Sequence, residues 1–329
     1  MTASAEASAA ARGDHKRVPD FFIVGHPKSG TTALYEMLRR RPQIHMPVKE
    51  PWFLSPELRS RSRSRTSAEQ PDTLDDYLAL YEDARPEQLV GEASPSYLRS
   101  RTAAGRIADL QPDARIIAIL REPASFLRSF HLQCVQSRIE TEKDLGKAIA
   151  LEEVRRRGKR IPRACARPEA LMYSEHVRYV EQLRRYFAVF PREHILVLIY
   201  EDFRRDNDAT VREVLRFLDV DDTAPLEVMN ANATIRVRSR RLDELVQAIS
   251  VGTGPVSRAL KAGVKAITPT QLRGTALRAT QRRVVYGNPR PPDQDLMLEL
   301  RRRFRGEVVA LSEYLDRDLV TLWGYENVL

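Results

Sequence analysis

The residues from Gly25 to Thr32, Gly-His-Pro-Lys-Ser-Gly-Thr-Thr, are of the types that grip an oxyanion. Gly30 permits close backbone approach, Thr31 and Thr32 offer hydroxyl donors where a helix would begin, and Lys28 supplies a full positive charge. An apolar run precedes the stretch and a helical pattern follows it, so backbone N–H groups and a helix N-terminus converge on one spot that favours an anion. The two glycines have the spacing of a Walker A loop, G-x-x-x-x-G-K-[ST]. Here, however, the lysine precedes the second glycine and Thr31 stands in its place. A magnesium-chelated triphosphate is poorly matched, and a P-loop kinase or ATPase acting on a small molecule is the alternative reading.

Two further stretches carry chemistry. In Leu120-Arg121-Glu122-Pro123 a strand pattern ends in arginine and Pro123 takes the first position of a helix that contains Ser125 and Ser129. A guanidinium fork suits phosphate oxygens, and the two serines lie one turn apart on one helix face. In Lys49-Glu50-Pro51-Trp52-Phe53 a carboxylate sits beside a cation, which lowers its pKa, and two aromatic rings, whose burial would raise it; a Lys-Glu pair on a loop is ordinarily exposed charge.

Together these motifs resemble a family. Pro27-Lys28-Ser29-Gly30-Thr31-Thr32 is similar to the 5′-phosphosulfate loop of sulfotransferases that use 3′-phosphoadenosine 5′-phosphosulfate (PAPS). Arg121 and Ser129 match the arginine and the serine, eight residues later, that hold the donor's 3′-phosphate in that family. The Lys49–Phe53 segment resembles the heparan-sulfate and bacterial branches, in which the glutamate is the proposed base. Cytosolic animal members use a histidine after a later strand, and the comparable region here, Gly91-Glu92-Ala93-Ser94-Pro95, has none.

The resemblance implies PAPS as sulfuryl donor and no metal. It makes Glu50 and Lys28 the catalytic residues and leaves Pro27 to Thr32, Arg121 and Ser129 to bind the donor. The implied acceptor is a hydroxyl or amine of a carbohydrate or small-molecule metabolite. The likeness runs from Phe21 to Trp323 and is weak over Glu140–Arg167 and Arg240–Arg283, where acceptor specificity is expected. A late basic loop usual in the family has only Arg282–Arg290 as a counterpart, without a Lys-Gly pair. Tyr200 is read either as a nucleotide contact or as core.

These motifs need a frame. Phe21–Val24, Leu89–Gly91, Arg115–Leu120 and His194–Tyr200 read as buried parallel strands, and amphipathic helices alternate with them over Thr31 to Pro42, Pro123–Gln136 and Glu169–Phe190. The expected fold class is α/β: a P-loop-type parallel β-sheet flanked by helices on both faces, with a helical C-terminal part from about Leu242. Leu300, Phe304, Leu311, Leu315 and Leu319, with Trp323, are expected to pack into the core at helical spacing. Residues 1–19 read as a flexible tail, Arg59–Gln70 as an exposed loop, and 20–329 as a single domain.

The chain has 329 residues, 42% hydrophobic and 30% charged, enough for a sizeable core and unlike a disordered chain. Its net charge of +9 favours acidic partners. The basic run Arg155-Arg156-Arg157-Gly158-Lys159-Arg160 raises a nucleic-acid-binding alternative, but no aromatics interleave it to stack bases, so no nucleic-acid partner is expected. Cys134 and Cys165 fit neither a disulfide framework nor a metal spacing, and no export signal or membrane span is visible; the expected compartment is the cytoplasm. His131 and His176 read as packing or surface residues, and His26 as a backbone contact at most. Oligomeric state is not legible.

Overall fold

The computed structural model describes residues 17–59, 70–223, 236–237, 286–287 and 291–328. Most of the tail, most of the loop after Arg59, the stretch from Leu242 to Arg283 and most of Arg282–Arg290 therefore lie outside the described residues. At the near end of the tail, Arg17 Nη2 donates to the Gln88 carbonyl at 2.7 Å and Val18 packs on the core.

Five parallel strands form the central sheet: β1 (Phe21–Gly25), β2 (Ile44–His45), β3 (Leu89–Ala93), β4 (Arg115–Leu120) and β5 (Ile195–Ile199). Their order is β2-β3-β1-β4-β5, with Ile23 opposite Ala93 and Gly25 opposite Ile119. The chain passes from β1 outward to one edge and then returns to build the other. β1 is therefore the switch point, and the crevice beyond its carboxyl end is where such sheets receive ligands.

Strand alternation divides the core into two layers. Phe22, Val24, Ile116, Ala118 and Leu120 face one layer, with Phe126 and Phe130 of the helix Pro123–Gln136 and with Leu300, Phe304, Val308 and Leu311 of the long helix Gln294–Leu315. Phe21, Ile23, Ile117 and Ile119 face the other, with the helices Thr31–Leu38 and Asn207–Phe217. Both faces of β1 and β4 are thus covered, as continuous apolar runs require. Leu319 and Trp323 are buried as their spacing predicts, while Leu315 is only partly so.

For reference, α1 is Thr31–Leu38, α2 Pro123–Gln136, α3 Tyr173–His176, α4 Tyr179–Phe187, α5 Tyr200–Arg205 and α6 Gln294–Leu315. Two helical expectations change. α1 ends at Leu38, short of Pro42. The expected continuous helix over Glu169–Phe190 is instead a turn at Pro168–Leu171 followed by α3 and α4. Met172 (ψ 74°) and Arg178 (ψ 64°) leave the helical region, which lets Tyr173, His176 and Tyr179 all point inward. Gln182 Nε2 donates to the freed carbonyls of Glu175 and His176, each at 3.1 Å, so the break is satisfied internally.

β1 and β4 lie this close at their carboxyl ends because Gly25 has no side chain. Its φ is 134°, and a Cβ there would press into the Ile119 backbone, 2.8 Å from its nitrogen. Gly25→Ala is expected to lower stability by about 1–3 kcal/mol or more, read as a fall in the urea midpoint. An unchanged midpoint would show that β4 yields at this contact.

Candidate functional site

The loop leaving β1 turns twice through the left-handed region, at Lys28 (φ 68°) and Gly30 (φ 84°). Gly30 opens α1 without a side-chain cap, so the first-turn N–H groups are left facing the crevice. A Cβ at Gly30 would lie 2.9 Å from the Phe203 ring and 3.2 Å from that of Tyr200, so the loop is clamped against α5. Thr31 is buried at the first helical position, Thr32 is exposed and Pro27 is half-buried. The buried Ser29 hydroxyl has no hydrogen-bond partner.

Lys28 is half-buried, and burial, then the Arg121 charge, push its ammonium below the ordinary lysine range. Arg121 leaves β4 beside it: Nη1 donates to the Lys28 carbonyl at 2.7 Å, Nε is buried without a partner, and the guanidinium lies 4.6 Å from the Tyr200 ring centre. Tyr200 is therefore a half-buried platform for Arg121 and not a core residue. Arg128, one face along α2, is lowered by burial and again by the Arg121 charge, a third cation that sequence spacing alone does not single out. Ser129 lies buried on the same helix.

Such a cluster repels itself and needs external support. Glu122 caps α2, accepting from the N–H groups of Ala124 at 3.0 Å and Ser125 at 2.7 Å. The Tyr325 hydroxyl donates to Glu122 Oε1 at 2.6 Å, and Arg301 Nε of α6 stands 3.7 Å from the same oxygen. Trp323 Nε1 donates to Glu201 Oε2 at 2.9 Å. The tyrosine, arginine and tryptophan of the C-terminal segment thus fix the carboxylates next to Arg121 and Tyr200.

Glu50 belongs to the neighbouring edge. Its N–H donates to the Ala93 carbonyl at 2.9 Å, and Lys49 Nζ lies 2.7 Å from its Oε1. Glu50 (φ 63°) and Trp52 (φ 55°) are both left-handed without being glycine, a strain that tertiary contacts must hold. Those contacts come from the turn after β3 and from the helix Leu74–Ala79 that precedes it: Leu54 N–H donates to the Tyr97 hydroxyl at 3.1 Å, and Phe53 stacks on Tyr77 at 4.6 Å.

At their centre lies Glu92, fully buried, which accepts a short hydrogen bond from the Tyr77 hydroxyl while its Oε1 has no partner. Burial drives its carboxyl from 4.5 up to about 7. The sequence reading passed over Glu92. A charged residue inside an otherwise apolar strand, Leu-Val-Gly-Glu-Ala, is the signal that could have found it.

The histidines stand apart from the loop chemistry. His26 points into the core, with Nε2 3.0 Å from Gln182 Oε1, and burial pushes it down to about 3. His176 is likewise buried, and burial pushes it well below the ordinary histidine range. The three arginines that open the run Arg155–Arg160 are taken: Arg155 is buried against Glu140 at 2.7 Å, and Arg156 and Arg157 pair with Glu153 at 3.0 and 2.9 Å.

The donor set of loop amides, an unpartnered hydroxyl, an ammonium and a guanidinium fits a ligand with two separated anionic groups. Comparison with known proteins agrees. The family described as Sulfotransferase family matches residues 19–224. Human carbohydrate sulfotransferase 15 is 27% identical over 257 residues, 64% of this chain and 46% of that protein. Human heparan sulfate glucosamine 3-O-sulfotransferase 3B1 is 31% identical over 127 residues, 37% of this chain and 28% of that protein. The chain therefore spans less than half the length of these curated relatives. A crystal structure of a sulfotransferase from Alicyclobacillus acidocaldarius superposes with a TM-score of 0.64 and 27% identity, covering 93% of this chain and 99% of that one.

The buried Glu92 carboxyl makes stability depend on pH. The unfolded chain releases this proton near 4.5 and the folded chain keeps it to about 7, so the Glu92 contribution is full below 4.5 and is lost as pH rises through about 7. The urea midpoint of the wild type should fall relative to that of Glu92→Gln across that window. The opposite drift from His26 and His176, common to both proteins, cancels. A pH-independent difference would mean that Glu92 is ionised throughout.

Proposed function

The chain belongs to the sulfotransferase family, and from that premise we propose that it moves a sulfuryl group from PAPS to a hydroxyl or amine of a carbohydrate or small-molecule metabolite. The observation that carries the choice of donor is the pair Lys28 and Arg121: two cations in contact through the Lys28 carbonyl, with an uncapped helix N-terminus on one side and α2 on the other. PAPS has an anionic group for each, a 5′-phosphosulfate for the loop and a 3′-phosphate for Arg121 and Ser129. The carbohydrate part of the reading rests on relatives named as carbohydrate and heparan sulfate sulfotransferases.

In this scheme PAPS supplies an activated sulfuryl group whose bond to the bridging phosphate oxygen breaks. Glu50 takes the proton from the acceptor as the acceptor oxygen or nitrogen forms its bond to sulfur. Lys28, the loop amides and Thr31 neutralise the charge that builds on the bridging and sulfuryl oxygens. Lys49 keeps the Glu50 carboxylate oriented through their 2.7 Å contact. Pro27, Ser29, Gly30 and Thr32 shape the cradle around the phosphosulfate. The cytoplasm is the proposed compartment, supported by the free thiols of the buried Cys134 and Cys165.

Isothermal titration with 3′-phosphoadenosine 5′-phosphate (PAP), beside ATP with Mg²⁺, tests the donor reading. The bisphosphate should bind without metal and lose its affinity in Arg121→Ala. Preference for Mg²⁺-ATP would return the kinase reading to first place. For the chemistry, Lys28→Ala is expected to lower turnover about a hundredfold or more, and Glu50→Gln to bind PAP normally while transferring almost nothing. Full turnover in Glu50→Gln would give the proton to another group.

A further inference from the structure

Glu92 stands outside the donor chemistry, yet the segment that carries Glu50 is built against it. β3 ends one residue after Glu92, at Ala93, to which Lys49 bridges in parallel and whose carbonyl takes the Glu50 N–H at 2.9 Å. Two residues on, the Trp52 N–H donates to Ser94 Oγ at 3.4 Å, and beyond it the Leu54 N–H donates to the Tyr97 hydroxyl at 3.1 Å. Phe53 stacks on Tyr77, whose own hydroxyl donates to Glu92 Oε2. Tyr77, Ser94 and Tyr97 thus meet the Glu50 segment on one side, and their hydroxyls act on the Glu92 carboxyl on the other.

The polar groups that face Glu92 are hydroxyls. Tyr77 and Tyr81 come from the helix Leu74–Ala79 and the turn after it, Ser94 and Tyr97 from the turn after β3, and Tyr186 from α4. Burial raises all four phenols above the ordinary tyrosine range, so each keeps its proton. No cation acts on Glu92 among the described residues, and its Oε1 is buried without a hydrogen-bond partner. A neutral carboxyl suits such a pocket. A carboxylate there, without countercharge or water, would draw the Ser94 and Tyr97 hydroxyls toward itself and off the Trp52 and Leu54 amides.

Those amides matter because the left-handed angles of Glu50 and Trp52, 63° and 55°, persist only while the surroundings hold them. We propose that Glu92 is a positioning residue for Glu50: its neutral carboxyl sets the Tyr77, Ser94 and Tyr97 hydroxyls in place under the Glu50–Leu54 segment, and the segment in turn presents the Glu50 carboxylate to the acceptor. The role rests on the sulfotransferase reading above, with Glu50 as the base. Since folded Glu92 keeps its proton to about 7, the segment is held below that pH and released above it.

The test takes two readouts on the full chain. One is hydrogen exchange at the Glu50, Trp52 and Leu54 amides with PAP bound, expressed as protection relative to an unfolded peptide at the same pH. The other is release of PAP from PAPS with water as acceptor: the water oxygen bonds to sulfur as the bond to the bridging phosphate oxygen breaks, Glu50 takes the water proton, and sulfate and PAP leave. At about pH 6 the wild type and Glu92→Gln should agree within about threefold in both. Above about pH 7 both readouts should fall in the wild type by about tenfold per pH unit and hold in Glu92→Gln, with PAP affinity equal in the two proteins. Glu92→Leu should lose about tenfold in both at every pH. Glu307→Gln, which removes another carboxyl raised by burial, should keep the wild-type pH course. If Glu92→Leu fails to fold, Glu92→Gln decides the matter. The same pH course in wild type and Glu92→Gln, or a segment that loses protection without loss of PAP release, overturns the assignment. A wild type that does not bind PAP overturns the donor reading instead.

Discussion

The structure is organised around the cost of holding Lys28 and Arg121 side by side, partly out of water, with no carboxylate between them. Like charges in that setting repel more strongly than at an open surface, and each loses hydration. The protein offsets this with dipoles and rings. The Lys28 carbonyl takes Arg121 Nη1, the Tyr200 ring lies under the guanidinium, and the Arg121 carbonyl accepts the Tyr179 hydroxyl at 2.9 Å. None of these neutralises the charge. The field that would attract an oxyanion is therefore kept while the side chains are fixed, which is the preorganisation that transition-state stabilisation needs.

The same constraint explains why the C-terminal segment reaches back across the molecule. Glu122 follows Arg121 in the chain and Glu201 follows Tyr200, and free rotation would let either one turn toward the cation pair. Tyr325 and Trp323 engage one oxygen of each, and the two N–H groups at the start of α2 take up Glu122 further. The apolar C-terminal run legible in the sequence thus has a second role beyond packing. It carries the polar groups that keep these acids turned aside.

Much of this frame was legible because it depends on local pattern. The strand Arg115–Leu120 and the helix Pro123–Gln136 appear at their expected bounds, since a buried β-run, an arginine and a proline at the first helical position are strong punctuation. The motifs likewise put Lys28 and Gly30 after the first strand and Arg121 after Arg115–Leu120, while the pairing of those two strands is known only from the fold. What failed was anything decided by distant contacts. The break within Glu169–Phe190 has no glycine and no internal proline, and it goes with the burial of Tyr173, His176 and Tyr179 together. Glu92 carries a sequence signal, a charge inside an apolar strand, but its unpartnered Oε1 and raised pKa follow from which groups do and do not reach it after folding.

Basic composition turns out to be an unreliable guide unless each charge is traced to a partner. Arg155, Arg156 and Arg157 look like a docking patch in the sequence and are occupied by Glu140 and Glu153 in the fold. Arg115 is taken by Asp219, Arg212 by Asp208 and Arg205 by Asp202. Apart from the buried Arg155–Glu140 pair, these lie on helix faces or at strand entrances, where solvent screens them and each contributes little. Lys28 and Arg121 differ because they are partly withdrawn from solvent without an ion pair among the described residues, at the carboxyl ends of β1 and β4. A protein under pressure only to be stable would pair or expose such residues. Their shared location argues that the fold keeps positive charge uncompensated where an anionic donor would have to sit.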